Sequence, residues 1–195
     1  MRYDQFISEY DKPGSIILLE GKRNVLPEDR EKLLRLGQLL AENSQHILFR
    51  SGNAKGADSF FSEGVASIDN SRLQLILPYN CHRKEYIQTN NVLSLDTINL
   101  AAEPDIVYQS RGNKKTKNLI DRYLSGEFDN HAIKAAYIIR DTIKVIGTRE
   151  IQPANFGIFY DDLTTRMTGG TGHTMNICKQ NNIPFIDQTI WFTWL

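Results

Sequence analysis

The chain has 195 residues, of which 41% are hydrophobic and 24% charged, and its 23 basic and 23 acidic side chains give a formal net charge of zero. This length predicts one domain that buries about 70% of the surface of its unfolded chain, so stability requires neither a disulfide nor a metal. The balanced charge excludes a protein whose whole surface attracts polyanions, although it leaves room for a local basic patch. Nucleic acid is therefore not an expected partner.

The sequence predicts no targeting signal. No apolar signal-peptide core follows the amino terminus, and no segment approaches the roughly 20 apolar residues of a membrane span. Cys81 and Cys178 lie far apart and form no metal-ligand spacing with the histidines. We therefore expect a cytoplasmic protein with no metal site, no cofactor and no membrane partner.

Short apolar runs alternate with helical patterns in the first 80 residues, which is typical of a parallel α/β sheet. The predicted strands are residues 15–19, 46–49 and 73–77. Helices are predicted after the first two strands, beginning at Pro27 and at Ala57. These steps indicate one half of a Rossmann-like fold.

The middle of the chain, about residues 80–130, is less regular. Its apolar content is thin, so we interpret it as an insertion or lid within a single domain of residues 1–195. Its one weak strand signal is Ile106-Val107-Tyr108. The basic run from Arg111 to Lys117 is interpreted as a solvated loop, with contact to a ligand phosphate or to nucleic acid as alternatives.

Regular patterns return after this segment. A helix contains Ala132, Ala135, Ala136 and Ile139, and a last helix follows residues 168–174. Further strands are predicted at residues 144–147, 156–160 and 183–187. Together, the elements predict a Rossmann-like α/β fold with a mostly parallel sheet and helices on both faces.

Two glycine-rich loops, the first at residues 51–58 and the second at residues 169–174, each connect a predicted strand to a predicted helix. The free backbone N–H groups at the beginning of a helix favour the binding of phosphate. Lys55 offers a point charge, whereas Asp58 either caps its helix or accepts hydrogen bonds from a ribose. His173 either contacts a phosphate, donates a proton or packs without a chemical role. The predicted ligand-binding residues are Gly21, Lys22, Ser51, Gly52, Asn53, Lys55, Gly56, Asp58, Gly169, Gly170, Thr171, Gly172, His173 and Thr174.

Residues 49–58, Phe-Arg-Ser-Gly-Asn-Ala-Lys-Gly-Ala-Asp, resemble the S-G-G-A-x-G-A-D loop of the SLOG superfamily, which includes Lonely Guy hydrolases and the Rossmann domain of DNA-processing protein A. Residues 170–174, with Asn-Ile-Pro at 182–184, are similar to its G-T-x-H-T and G-I-P elements. The resemblance covers about residues 15–80 and 132–187. It implies a Rossmann-like fold and the nucleotide-binding role proposed for small stand-alone members.

The sequence departs from the pattern of the hydrolases. Lonely Guy enzymes carry P-G-G-x-G-T-x-x-E, whose glutamate helps to cleave an N-glycosidic bond. Aligning Gly169 with the first glycine of that motif places Asn176 at the glutamate and His173 at the threonine. Asparagine cannot act as a general acid or base, so the resemblance does not extend to this activity. Asn53 replaces a glycine of the first loop, but asparagine tolerates a positive φ.

These observations predict that the protein binds a nucleotide or nucleotide-derived ligand through two phosphate-binding loops, as a sensor or binding module. One alternative is a hydrolase of an N-glycosidic or phosphoester bond that uses His173, Asp58 or Asp162; another is single-stranded DNA binding. No catalytic residue is identified. Trp191 and Trp194, near the end of the chain, predict packing on the body or at a subunit interface, so a homo-oligomer stays open.

Overall fold

A computed structural model describes residues 1–112, 114–126 and 129–195, without the side chain of Lys115. The strands are β1 (Ile16–Gly21), β2 (Leu48–Ser51), β3 (Leu73–Leu77), β4 (Val92–Ser94), β5 (Phe156–Tyr160) and β6 (Phe185–Ile186). The helices are α1 (Tyr3–Tyr10), α2 (Arg30–Glu42), α3 (Ala57–Asp69), α4 (Pro104–Ser110), α5 (Lys114–Leu124), α6 (Asn130–Ile146), α7 (Gly169–Gln180) and α8 (Gln188–Trp191).

The strands form one parallel sheet in the order β4-β3-β2-β1-β5-β6. The chain builds outwards from β1 to β4 and then returns to the other side of β1 with β5. Because the strand order reverses between β1 and β5, a crevice opens there at the carboxyl ends of the strands. The β1–β5 register pairs Gly21 with Tyr160, so the ends of both strands lie side by side at this crevice.

Helices cover both faces of the sheet, which confirms the predicted Rossmann-like α/β architecture. Alternate residues of β1 point to opposite faces: Ile17 and Leu19 share an apolar cluster with residues of α1, α2, α3 and α8, whereas Ile16 and Leu18 share another with residues of α6 and α7. All four side chains are buried. Both faces of β1 are therefore apolar, as expected for a central strand of a parallel sheet.

Two predicted strands are wrong. Residues 144–147 are the end of α6, whose apolar positions continue through Ile139 and Ile143, and Gly147, at φ 70°, ends the helix by donating its N–H to the Ile143 carbonyl. Glycine at a positive φ is typical of a helix terminus. Residues 106–108 lie within α4, which begins at Pro104, a residue favoured in the first helical turn.

The segment 80–130 adds structure that the sequence pattern does not reveal. The three-residue strand β4 pairs with β3 and extends the sheet. Ile106 of α4 and Ile120 of α5 are buried with Ile139 of α6, so this segment shares the core of that face. Its role as an insertion or lid stays a prediction.

The end of the chain packs on the body of the protein. Trp191 is fully buried and its Nε1 donates to the Phe159 carbonyl at 2.9 Å. Trp194 contacts the rings of Tyr3 and Phe6 in α1. This packing accounts for the aromatic terminus, while the homo-oligomer stays a prediction. Among the described residues, none of the helices has the length and apolar character that crossing a membrane requires.

Candidate functional site

A cleft of about 1040 Å³ lies at the reversal point of the sheet. Its floor contains Glu20 and Gly21 at the end of β1, and Tyr160 and Asp161 at the end of β5. Helix α6 and the beginning of α7 supply its walls. Since small-molecule sites typically measure about 300–1000 Å³, the cleft has room for a ligand of nucleotide size.

The N-terminus of α7 opens into this cleft. Gly169, Gly170 and Thr171 form its first turn and line the cleft, and the first intrahelical bond of the backbone runs from the Gly172 N–H to the Thr168 carbonyl. Within the described part of the chain, no side-chain cap bond reaches the helix from Thr168. The first amides of α7 therefore face the cleft with the positive end of the helix dipole.

Lys22 holds a positive charge beside this helix end. Its Nζ donates to the Thr168 carbonyl at 2.7 Å and to Thr168 Oγ1 at 2.9 Å, and it lies 3.4 Å from Asp161 Oδ1. The Asp161 carboxylate in turn accepts the Met167 N–H at 2.7 Å. Lys22 and Asp161 thus connect Met167 and Thr168, in the loop before α7, to the ends of β1 and β5.

A network of buried charges lies beneath the cleft. Lys144 Nζ contacts Glu20 Oε2 at 2.5 Å and Asp141 Oδ1 at 3.0 Å, and Arg140 Nε lies 3.1 Å from the same Asp141 oxygen. Thr174 Oγ1 donates to Glu20 Oε1 at 2.8 Å. All of these charged side chains are less than a tenth exposed, so each depends on its partners rather than on water.

The pKa values of two carboxyl groups in this network, those of Glu20 and Asp141, are shifted from their usual values. Burial raises the pKa of Glu20 to about 7, although the Lys144 charge opposes this rise. Burial also disfavours ionised Asp141, but the Arg140 and Lys144 charges outweigh it and lower the pKa of Asp141. Carboxyl groups with opposed pKa shifts in a cleft are typical of functional sites.

Asp58 satisfies the backbone amides of the first loop. Its carboxylate accepts the N–H groups of Gly21 at 3.1 Å, Gly52 at 3.2 Å and Ala54 at 3.5 Å. The side chain is buried in the first turn of α3. The Asp58 carboxylate therefore binds the backbone amides that a phosphate would otherwise bind, which favours the capping alternative for Asp58.

The other residues predicted in the first loop have structural contacts. Asn53 has φ 53°, as its tolerance of this region suggests, and its side chain donates to the His82 carbonyl at 2.9 Å. Ser51 is buried, and Gly56, at φ 83°, precedes α3. Lys55 is not among the residues that line the cleft. Ligand contact by these residues stays a prediction.

His173 lines the cleft in the second turn of α7. Its Nε2 lies 3.1 Å from Thr142 Oγ1. Burial lowers the pKa of His173, with the Asp141 carboxylate opposing the shift, so the ring is largely neutral at pH 7. Asn176, at the position of the Lonely Guy glutamate, is exposed and does not line the cleft.

Other polar candidates form local structure. Asp162 accepts the N–H groups of Thr164 and Thr165, as in a capped turn. In the basic run, Arg111 and Lys117 both pair with Asp121, whereas Asn113 lies outside the described residues. No cluster of three or more His, Cys, Asp or Glu suited to a metal occurs in the described ranges.

The sequence did not reveal the charged floor of the cleft. Glu20 ends an apolar strand, and Lys144 lies in a segment expected to be a strand. The sequence does contain a signal for this network of charges, because Arg140, Asp141 and Lys144 interrupt the apolar pattern of a long helix. Charged side chains are found among buried positions only when they are paired.

The chain matches no protein-family model and no curated protein sequence. Among solved structures, it is similar to DNA processing protein A from Helicobacter pylori, a protein described as having a unique single-stranded DNA binding mode. The identity is 17% and the TM-score 0.49, over 91% of this chain and 66% of that protein. The likeness therefore concerns the fold, and this chain spans just under two thirds of the length of that protein.

The expectation from the sequence that nucleic acid is not a partner is contradicted by this comparison. The structure that this chain resembles belongs to a protein described as binding single-stranded DNA. A net charge of zero does not exclude such a partner, because local charges rather than the total charge decide binding to a phosphate backbone. At the level of fold, the chain is similar to DNA processing protein A.

Proposed function

We propose that the cleft binds a nucleotide or nucleotide-derived ligand with its phosphate against the N-terminus of α7. The observation that carries this proposal is the uncapped first turn, Gly169–Thr171, which faces the cleft beside the Lys22 ammonium group. Free amides, the helix dipole and an ammonium group all favour an anion at this point. Gly169 and Gly170 carry no side chain that would keep a phosphate away from the backbone.

The rest of the cleft suits the other parts of such a ligand. Asp141 and Asp161 line it and offer acceptors for hydroxyl groups, whereas they repel a second anionic group. Leu26 and Leu163, together with Tyr160 of the floor, provide an apolar surface. This distribution fits a ligand with one anionic end, a hydroxylated middle and an apolar ring.

The substitution Gly170→Asp tests the proposed phosphate position. A side chain at this site meets only Asp141 Oδ2, at 3.4 Å, so the fold accommodates it. Its carboxylate would bind the free amides of α7 and occupy the place of the phosphate.

Calorimetric titration with AMP should show binding to the wild type and to Gly170→Ala. We expect Gly170→Asp to lose about tenfold or more in affinity, since charge-assisted hydrogen bonds contribute about 1.5–3 kcal/mol. Equal affinity of all three proteins, or no binding by the wild type, would contradict the proposal.

Single-stranded DNA is a second candidate, favoured by the charges at the mouth of the cleft. Arg23 and Lys134 are exposed, line the cleft and form no salt bridge with the residues that the structure describes. Cations of this kind can follow a phosphate backbone. It is also the ligand class named for the Helicobacter pylori protein.

Salt dependence separates the two candidates. Binding of an oligothymidylate should weaken steeply as salt rises and should depend on both Arg23 and Lys134, because each contact releases counterions. Binding of AMP should change less with salt. An oligothymidylate that binds no tighter than a mononucleotide would exclude the second candidate.

A further inference from the structure

An aromatic ring with two guanidinium groups forms one wall of the cleft. The ring is that of Tyr137 on α6. Arg23 Cζ lies 5.4 Å from its centroid, and Arg140 Cζ lies 5.5 Å from it. Both distances are within the range of cation–π attraction, so the wall combines a π surface with positive charge.

The Tyr137 ring is held by a group of aromatic side chains outside the cleft. Its hydroxyl lies 3.5 Å from His82 Nδ1, and that nitrogen is also 2.9 Å from the Tyr79 hydroxyl. The rings of Tyr137 and Tyr79 both pack edge-on against His82, which is 5% exposed. These contacts fix the orientation of the ring before any ligand binds.

The two arginines differ in their freedom to move. Arg140 is 3% exposed and is held by the Gly52 carbonyl and by Asp141. Arg23 is exposed, and within the described part of the chain it forms neither a hydrogen bond nor a salt bridge. Its guanidinium group can therefore shift away from Tyr137 at little cost.

We infer that Arg23 and Tyr137 form a clamp for the planar base of the ligand, with the guanidinium group on one face of the base and the phenol ring on the other. Two stacking distances of about 3.5 Å require a separation of about 7 Å, so Arg23, which lies 5.4 Å from the ring centroid, would move outwards by about 1.6 Å. The inference rests on the proposed function, because the phosphate at α7 anchors the other end of the ligand. A clamp of this kind favours purines, whose π surface is larger.

A comparison of AMP with ribose 5-phosphate tests the clamp, since the two differ by the base alone. We expect the wild type to bind AMP about 5-fold to 150-fold more tightly, which corresponds to the range of about 1–3 kcal/mol for stacking of a base on an aromatic side chain. This affinity ratio should fall towards one in Tyr137→Leu and decrease in Arg23→Gln. Tyr137→Phe keeps the ring and should keep the ratio.

Matched controls lie outside the cleft. Tyr108→Leu removes a tyrosine that is 76% exposed on α4, and Arg30→Gln removes an arginine placed 5.0 Å from the Phe60 ring. Both should leave the ratio unchanged. A wild-type ratio near one, or an unchanged ratio in Tyr137→Leu, overturns the clamp while the proposed function stands. If neither compound binds the wild type, the proposed function fails and the clamp fails with it.

Discussion

Arg140 Nη1 donates a hydrogen bond of 2.6 Å to the carbonyl oxygen of Gly52 and so joins α6 to the loop after β2. The guanidinium group occupies the place of a side chain at residue 52, because a Cβ there would lie 1.5 Å from Nη1. The same guanidinium group contacts Asp141. Glycine at position 52 therefore sets the position of a buried cation in the wall of the cleft.

We expect Gly52→Ala to lower the free energy of unfolding by about 1–3 kcal/mol, the usual effect of overpacking. The loss should lie at the upper end of this range because Arg140 is buried and has to leave its carbonyl acceptor. Urea-induced unfolding followed by circular dichroism measures the change.

Gly170→Ala is the matched control for this substitution. Gly170 lies in the first turn of α7, has no positive φ, and an added Cβ meets only Asp141 Oδ2 at 3.4 Å. The control should change stability by no more than about 1 kcal/mol, in the stabilising direction. Equal stability of Gly52→Ala and the wild type would show that Arg140 can move without cost.

Most of the fold could be predicted from hydrophobic periodicity. The strands at residues 73–77 and 156–160 have the predicted bounds, since both are short apolar runs between clear turns. The end of α6 could not be predicted in this way, because Val145 packs in a different apolar cluster from Ile139, and Ile146 packs against both clusters. A helix buried on several sides looks like a strand over four residues.

The candidate site could be predicted in part. The sequence predicts that the last helix follows residues 168–174, whereas α7 already begins at Gly169, so the glycines of the second loop are helical and Gly169–Thr171 line the cleft. The first loop looks equivalent in sequence, but Asp58 folds back onto its amides. The contacts of Glu20 with Lys144 join residues 124 positions apart, and only the fold brings them together.

Glu20 should make stability depend on pH. Burial raises its pKa from 4.5 to about 7, so the folded protein holds this proton more tightly than the unfolded chain does. The contribution of Glu20 to the free energy of unfolding is therefore full below about pH 4.5 and is lost as the pH rises through about 7. Glu20→Gln, which stays neutral, should lack this loss.

Unfolding at about pH 5 and about pH 8 tests this expectation. As the pH rises, the wild type should lose unfolding free energy that Glu20→Gln keeps. The variant should therefore become more stable relative to the wild type. Glu150→Gln, at an exposed position after α6, serves as the control and should show no such trend. Parallel pH profiles of Glu20→Gln and the wild type would mean that Glu20 is ionised throughout, held by Lys144.

Placing a glutamate at position 176, as in the Lonely Guy motif, should not create a hydrolase. Asn176 is exposed and does not line the cleft, so the carboxylate of Asn176→Glu would not reach a ligand bound there. Chromatography after incubation with AMP should detect no free adenine from either the wild type or the variant. Adenine released by the variant alone would place the ligand on the other side of α7.

Substitutions of Lys22 and Lys55 test which of the two loops binds the phosphate. Lys22 lies beside the open N-terminus of α7, whereas Lys55 is exposed next to amides that Asp58 has already satisfied. We expect Lys22→Met to weaken AMP binding by about tenfold, the effect of losing a charge-assisted hydrogen bond. Lys55→Met should bind as the wild type does.

Calorimetric titration of both variants gives the comparison directly, and inorganic phosphate serves as the competing ligand. Lys22 is also part of the link between β1 and the loop before α7, so unfolding in urea should accompany each titration. A small change in stability with a large change in affinity assigns Lys22 to the ligand. If Lys55→Met loses the affinity instead, the phosphate lies at the first loop, and the Asp58 carboxylate must leave its amides when the ligand binds.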